Sequence, residues 1–200
     1  CKPRPDEVGG MHRVGSKVHC HSTWGHGGLS LNDALLQSCN AYFALVGEAH
    51  YDAASFRDMA RTFGFDRPTG VRSLDHGARH VGGLREDERS NGFFRDDRPA
   101  TAPTLQRLGN GLTAISTTVL QIARAYVGLA TGRLPELRLV QSVGGAPLPR
   151  REDPLQLSAT SLETVRRSLS RVPLQGTAKG TGLDPESLGF HLACKTGSAD

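Results

Sequence analysis

The stretch "SLNDALLQSCNAYFALVGE" (residues 30–48) decides how this chain is read. Ser30 with Asp33 three residues on is a helix start of the capping-box kind. Leu31, Leu35, Cys39, Tyr42, Phe43 and Val46 then fall on one helical face. Inside the stretch sits Ser38-Cys39-Asn40. On an unbroken helix, side chains two apart point about 200° apart, so Ser38 and Asn40 could not serve one site. A break between two helices at 38–40 would turn both toward a common cleft and leave Cys39 pointing away. A hydroxyl and a carboxamide converging in this way offer a proton relay and a ligand for a substrate amide. The alternative is a pair of polar residues on a solvent face.

A second polar cluster lies about 155 residues further on, in "HLACKTGSAD" (191–200). The apolar run Leu192, Ala193, Cys194 predicts a strand over 190–196, leading into Lys195-Thr196-Gly197-Ser198. Lys195 supplies a compact positive charge, and Thr196 and Ser198 supply hydroxyls. Gly197 lets another molecule approach the backbone. Taken alone, the four residues fit an ordinary strand end equally well.

The rest of the chain gives the setting. Residues 1–28 are rich in Gly, His and Pro and read as loop. Amphipathic spacing predicts helices over 53–63, 116–130 and 158–171, the second opened by Ser116-Thr117-Thr118. Residues 72–104 read as a charged surface excursion, 137–143 as a short strand and 144–154 as a Gly/Pro loop. Two hundred residues with 37% hydrophobic content, 24 Gly and 11 Pro allow one domain with long connections. Helices followed by late strands make the class α+β, a mainly helical part over 29–182 plus part of an antiparallel sheet with the strand at 190–200. A net charge of +4, dispersed and mostly Arg, argues against a nucleic-acid partner. No apolar stretch reaches the roughly 18 residues that a membrane span requires. The chain begins at Cys1 rather than Met, so it is expected to be a piece of a longer protein.

The cysteines and histidines cluster as well. Cys1, Cys20, His26 and Cys39 form a soft ligand set suited to structural zinc, although their spacings of 19, 6 and 13 follow no zinc-finger pattern. A Cys1–Cys20 disulfide with Cys39 as a buried free thiol is the competing arrangement. Cys194 reads as packing within the terminal strand, and the remaining histidines as surface or satisfied polar groups.

Taken together, Ser38-x-Asn40 and Lys195-Thr196-Gly197-Ser198 resemble two of the three signatures of the penicillin-binding protein transpeptidases. The segments "HGGLSLNDALLQSCNAYF" (26–43), "FGFDRPTGV" (63–71), "LGNGLTAISTTVLQIARAY" (108–126) and "VPLQGTAKGTG" (172–182) are similar, in the same order, to connecting segments of the class B, elongation-type members. The third signature, Ser-x-x-Lys with the acylated serine, occurs nowhere in the sequence. The resemblance therefore implies an incomplete transpeptidase fold of the penicillin-binding/β-lactamase type, one domain over 1–200, without its nucleophile or its last sheet strands.

The implied activity is serine-type D,D-transpeptidation. A serine attacks D-Ala-D-Ala stem peptides of peptidoglycan, and β-lactams stall the reaction at the acyl stage. Ser38 would relay a proton, Asn40 would hold the substrate amide, and Lys195 would attract the terminal carboxylate and tune Ser38. Thr196 would bind that carboxylate, Gly197 would give the substrate access to the backbone, and Ser198 N–H would serve the oxyanion hole. Some elongation-type relatives hold zinc beside the Ser-x-Asn motif, which favours zinc here, although the chemistry itself needs no cofactor. Expected partners are stem peptides, β-lactams, a membrane glycosyltransferase and other wall-synthesis proteins. The expected location is the bacterial periplasm or the outer face of the cell membrane, anchored by a segment outside this chain. A β-lactam sensor domain and a non-catalytic scaffold are the rival functions.

Overall fold

A computed structural model of the chain describes residues 18–22, 25–65, 80–81, 84–85, 101–112 and 117–197. These residues fall into two compact units. The first draws on segments within 1–52, 99–113 and 158–200, and the second on segments within 53–98 and 114–157.

In the first unit, helix α1 (Leu31–Leu36) starts as its sequence predicts, with Ser30 Oγ accepting from the Asp33 N–H at 3.2 Å. The helix stops after six residues and α2 (Asn40–His50) follows, so the expected break at 38–40 is present. Helix α4 (Ala102–Gly109), which the sequence reading missed, crosses α2 closely. A Cβ on Gly47 would stand 2.5 Å from the Leu105 carbonyl oxygen, and one on Gly109 would collide with the Phe43 carbonyl. Small residues at the crossing are what let these backbones meet.

Helix α6 (Ala159–Gln175) is capped by Ser158 and packs on α1, with Ser168 Oγ donating to Asn32 Oδ1 at 2.9 Å. The expected end at residue 171 is a correction: α6 continues for four more residues with Pro173 inside it. Two buried clusters form the core here. One joins Cys20, Ala34, Cys39 and Ala41; the other joins Leu36, Val172 and Ala178, with Cys194 against it.

A further short helix, α7 (Pro185–Leu188), precedes the terminal segment. The strand expected over 190–196 is also corrected, since residues 191–197 form no ladder with any described strand. Leu192, Ala193 and Cys194 gave the apolar signal of a strand. A strand also needs a neighbour to pair with, and none lies beside them among the described residues.

The second unit holds α3 (Ala53–Thr62) and α5 (Val119–Thr131) with six short described strands. Thr118 and Gln121 close a full capping box at the start of α5. Strand β3 (Arg133–Pro135) pairs antiparallel with β6 (Glu152–Pro154), Leu134 opposite Asp153. Between them, β4 (Ser142–Val143) and β5 (Ala146–Pro147) form a hairpin. The strand expected over 137–143 is thus confined to its last two residues, and the loop expected over 144–154 contains two strands. The other two strands, β1 (His80–Val81) and β2 (Leu84–Arg85), pair within the expected surface excursion, most of which lies outside the described residues.

Candidate active site

The turn that joins α1 to α2 sets the first side of the site. Cys39 N–H donates to the Ala34 carbonyl at 3.0 Å and Ser38 N–H to the Leu35 carbonyl at 3.3 Å. This is the paired bonding of a Schellman helix end, in which the residue at the position of Ser38 takes a left-handed conformation and is usually Gly. Ser38 adopts φ +50°, unlike any other non-glycine residue among those described. That conformation costs an L-residue roughly 1–2 kcal/mol. A serine in a conformation that favours Gly makes its hydroxyl a candidate for use at the site. Cys39 anchors the turn, being fully buried, and Asn40 opens α2 with its side-chain amide donating to the His19 carbonyl at 3.2 Å.

The second side is the segment 191–197. Pro173 explains how an unpaired segment is held. Proline has no N–H, so the Leu169 carbonyl four residues earlier lacks its helical partner. Cys194 N–H donates to that carbonyl at 3.2 Å. The Cys194 side chain packs against Leu36, Val172 and Ala178, in the packing role expected of it.

The two sides meet at Lys195. Its Nζ donates to Ser38 Oγ at 2.5 Å, across 157 positions of sequence, and to the Thr196 carbonyl at 2.8 Å. Burial pushes the Lys195 ammonium below the ordinary lysine range, with Cys194 opposing weakly. An ammonium so held polarises the Ser38 hydroxyl and occupies one lone pair of its oxygen. Thr196 Oγ1 lies 2.5 Å from Thr177 Oγ1. Gly197 is exposed, with open space where a side chain would stand. Ser198 lies outside the described residues. Of the predicted catalytic residues, Ser38 and Lys195 are thus in direct contact, while Asn40 is held by His19.

Sequence reading missed Thr177 and Pro173 as contributors, although both lie within "VPLQGTAKGTG". The signal available was a proline where helical periodicity had not yet ended.

Beside the turn, Cys20 Sγ is 3.0 Å from His26 Nδ1 and 4.0 Å from Cys39 Sγ. All three ligand atoms lie within 4.8 Å of one another. Two sulfurs bound to one tetrahedral ion at about 2.3 Å would be about 3.8 Å apart, so the trio fits a soft divalent metal. Burial pushes the Cys20 thiol up and the His26 imidazolium down. Cys20 and Cys39 carry no disulfide among the described residues, and Cys1 lies outside them.

Residues 6–200 match the family described as penicillin binding protein transpeptidase domain, and the chain belongs to that family. Over 185 residues it is 28% identical to the peptidoglycan D,D-transpeptidase MrdA of Haemophilus influenzae, covering 88% of this chain and 27% of that protein. PBP2 of Helicobacter pylori superposes with a TM-score of 0.71 at 23% identity, over 96% of this chain and 35% of that one; it is also solved in complex with MreC. PBP3 of Mycobacterium tuberculosis, complexed with aztreonam, gives 0.63 at 24% identity, over 89% of this chain and 39% of that one. The chain therefore spans about a third of the length of these relatives.

Proposed function

We propose that this chain supplies the proton-relay and carboxylate-binding side of a serine-type peptidoglycan D,D-transpeptidase of the elongation type. The observation that carries the reading is the 2.5 Å contact between Lys195 Nζ and Ser38 Oγ. The acylated serine lies outside these 200 residues, which contain no Ser-x-x-Lys.

In the reaction, that serine adds to the D-Ala-D-Ala carbonyl and its proton passes to the departing D-Ala nitrogen. Ser38 relays this proton, since its hydroxyl both donates and accepts, and Lys195 fixes the direction of the relay by occupying one lone pair. Asn40 holds the amide of the stem peptide. Lys195 also draws in the terminal carboxylate, Thr196 donates a hydrogen bond to it, and Gly197 leaves the backbone open to the extended substrate. Ser198 N–H completes the oxyanion hole. An amine of a second stem then attacks the acyl-enzyme, and β-lactams stop the cycle before that step.

Cys20, His26 and Cys39, with Cys1 as a candidate fourth ligand, would hold a zinc ion as a structural clip. Cys39, between Ser38 and Asn40 in sequence, would carry that restraint to both neighbours. Similarity to MrdA and PBP2 supports an extracytoplasmic location; no described helix is long and apolar enough to span a bilayer. Glycosyltransferases, and wall-synthesis proteins like the MreC in complex with the Helicobacter pylori relative, are the fitting partners.

The test is labelling of the full-length protein by fluorescent penicillin, read by gel and intact mass. One ester-linked adduct on a serine outside residues 1–200 is expected, and Ser38→Ala should slow its formation severely. Unchanged labelling of that variant would refute the assignment of the relay.

A further inference from the structure

Thr177 takes no part in the chemistry described so far, yet it touches both sides of the site. It follows Gly176, the residue that ends α6. Its backbone N–H donates to the carbonyl of Leu36, the last residue of α1, at 3.3 Å. Gly176 is pressed onto the same residue: a Cβ there would stand 2.5 Å from the Leu36 carbonyl oxygen and 2.9 Å from Leu36 Cδ1. The turn is therefore seated on the end of α1, two residues before Ser38. From that seat the half-buried Thr177 hydroxyl reaches Thr196 Oγ1 at 2.5 Å.

We infer that Thr177 is a positioning residue for the acyl donor's carboxylate, donating its hydroxyl hydrogen to Thr196 so that Thr196 turns its own hydrogen toward the anion. A threonine hydroxyl has one hydrogen and two acceptor lone pairs. If Thr196 gave its hydrogen to Thr177, it would present only lone pairs to a carboxylate and repel it. With an anion in place, the order must run from Thr177 to Thr196 to carboxylate, and each donation strengthens the next. Because the Thr177 backbone is tied to Leu36, the carboxylate-binding hydroxyl is registered against the same helix end that sets Ser38. The inference rests on the proposed role of Thr196 and extends it to a residue outside the two signature motifs.

The experiment compares acylation of the full-length protein by benzylpenicillin and by its methyl ester, whose carboxylate is masked. Thr177→Val should slow acylation by benzylpenicillin about tenfold, the scale of one lost hydrogen bond, and leave the slow reaction with the ester unchanged. Thr177→Ser should restore the rate. Placed on a Thr196→Val background, Thr177→Val should add nothing, because its effect passes through that hydroxyl. Thermal melting reports folding, and Thr177→Ala gives the same comparison should the valine variant not fold.

Equal slowing of both compounds, or a Thr177 effect that persists without the Thr196 hydroxyl, would overturn the inference. The Thr196→Val single variant separates the two levels. Slowing of both compounds alike by that variant would overturn the Thr196 assignment and this inference together. Selective slowing by Thr196→Val with a silent Thr177→Val would overturn the Thr177 role alone.

Discussion

The two units of this molecule are held together on different sequence scales. Among the described residues of the second, the Thr118–Gln121 capping box spans three residues, and Arg124 Nε reaches the Pro135 carbonyl at 2.7 Å, eleven positions away. In the first, Ser168 meets Asn32 across 136 positions and Lys195 meets Ser38 across 157. Local signals suffice to build a helix and a ribbon. The cluster that can do acid–base chemistry is made only where distant segments are locked together. Substitutions in the first unit should therefore act on chemistry, and those in the second on stability alone.

The sharpest way to break this contrast is Lys195→Ala in the full-length protein. It removes both the charge that attracts a carboxylate and the partner of Ser38, and benzylpenicillin acylation should fall about a thousandfold with folding retained. Stopped-flow or mass-resolved kinetics would show it. In the wild type, loss of the Lys195 proton should end activity as pH rises. Burial lowers the pKa of this lysine, so the alkaline fall in rate should lie below the ordinary lysine value of 10.5. An intermediate effect is expected at the metal cluster. Cys39→Ser should abolish bound zinc, measured by elemental analysis without chelators, and slow acylation about tenfold to a hundredfold through the disturbed 38–40 turn. The smallest kinetic effect belongs to the second unit. Thr118→Ala should cost about 1 kcal/mol of stability through the lost cap and leave the acylation rate unchanged. Slowed acylation in that variant would dissolve the contrast.

How much of this was legible in the sequence follows the same division. The Ser30 cap and the hydroxyl-rich start at Ser116-Thr117-Thr118, where Thr118 is the cap, were readable because each is written within a few residues, whereas the break at 38–40 was one of two local readings. The convergence of Ser38 with Lys195 could be anticipated only by family resemblance, since no local rule links positions 157 apart. Two readings failed for physical reasons. The run Leu192-Ala193-Cys194 looks like a strand, but pairing needs a partner and Cys194 N–H instead takes the carbonyl that Pro173 leaves free. The helix expected to end at residue 171 runs on to Gln175 through Pro173, because Cys194 supplies the donor that the proline lacks. Thr177 went unnoticed because a threonine after a glycine is ordinary turn composition, and its meaning comes only from the Leu36 carbonyl and the Thr196 hydroxyl beside it.

The central claim is that Ser38 and Lys195 act as one unit, and a double-mutant cycle measures this directly. Second-order acylation rates by benzylpenicillin would be compared for the full-length wild type, Ser38→Ala, Lys195→Ala and the double variant. If the pair shares one proton relay, the double variant should be no slower than the slower single variant. Rate losses that multiply, each residue acting as though the other were absent, would contradict the account.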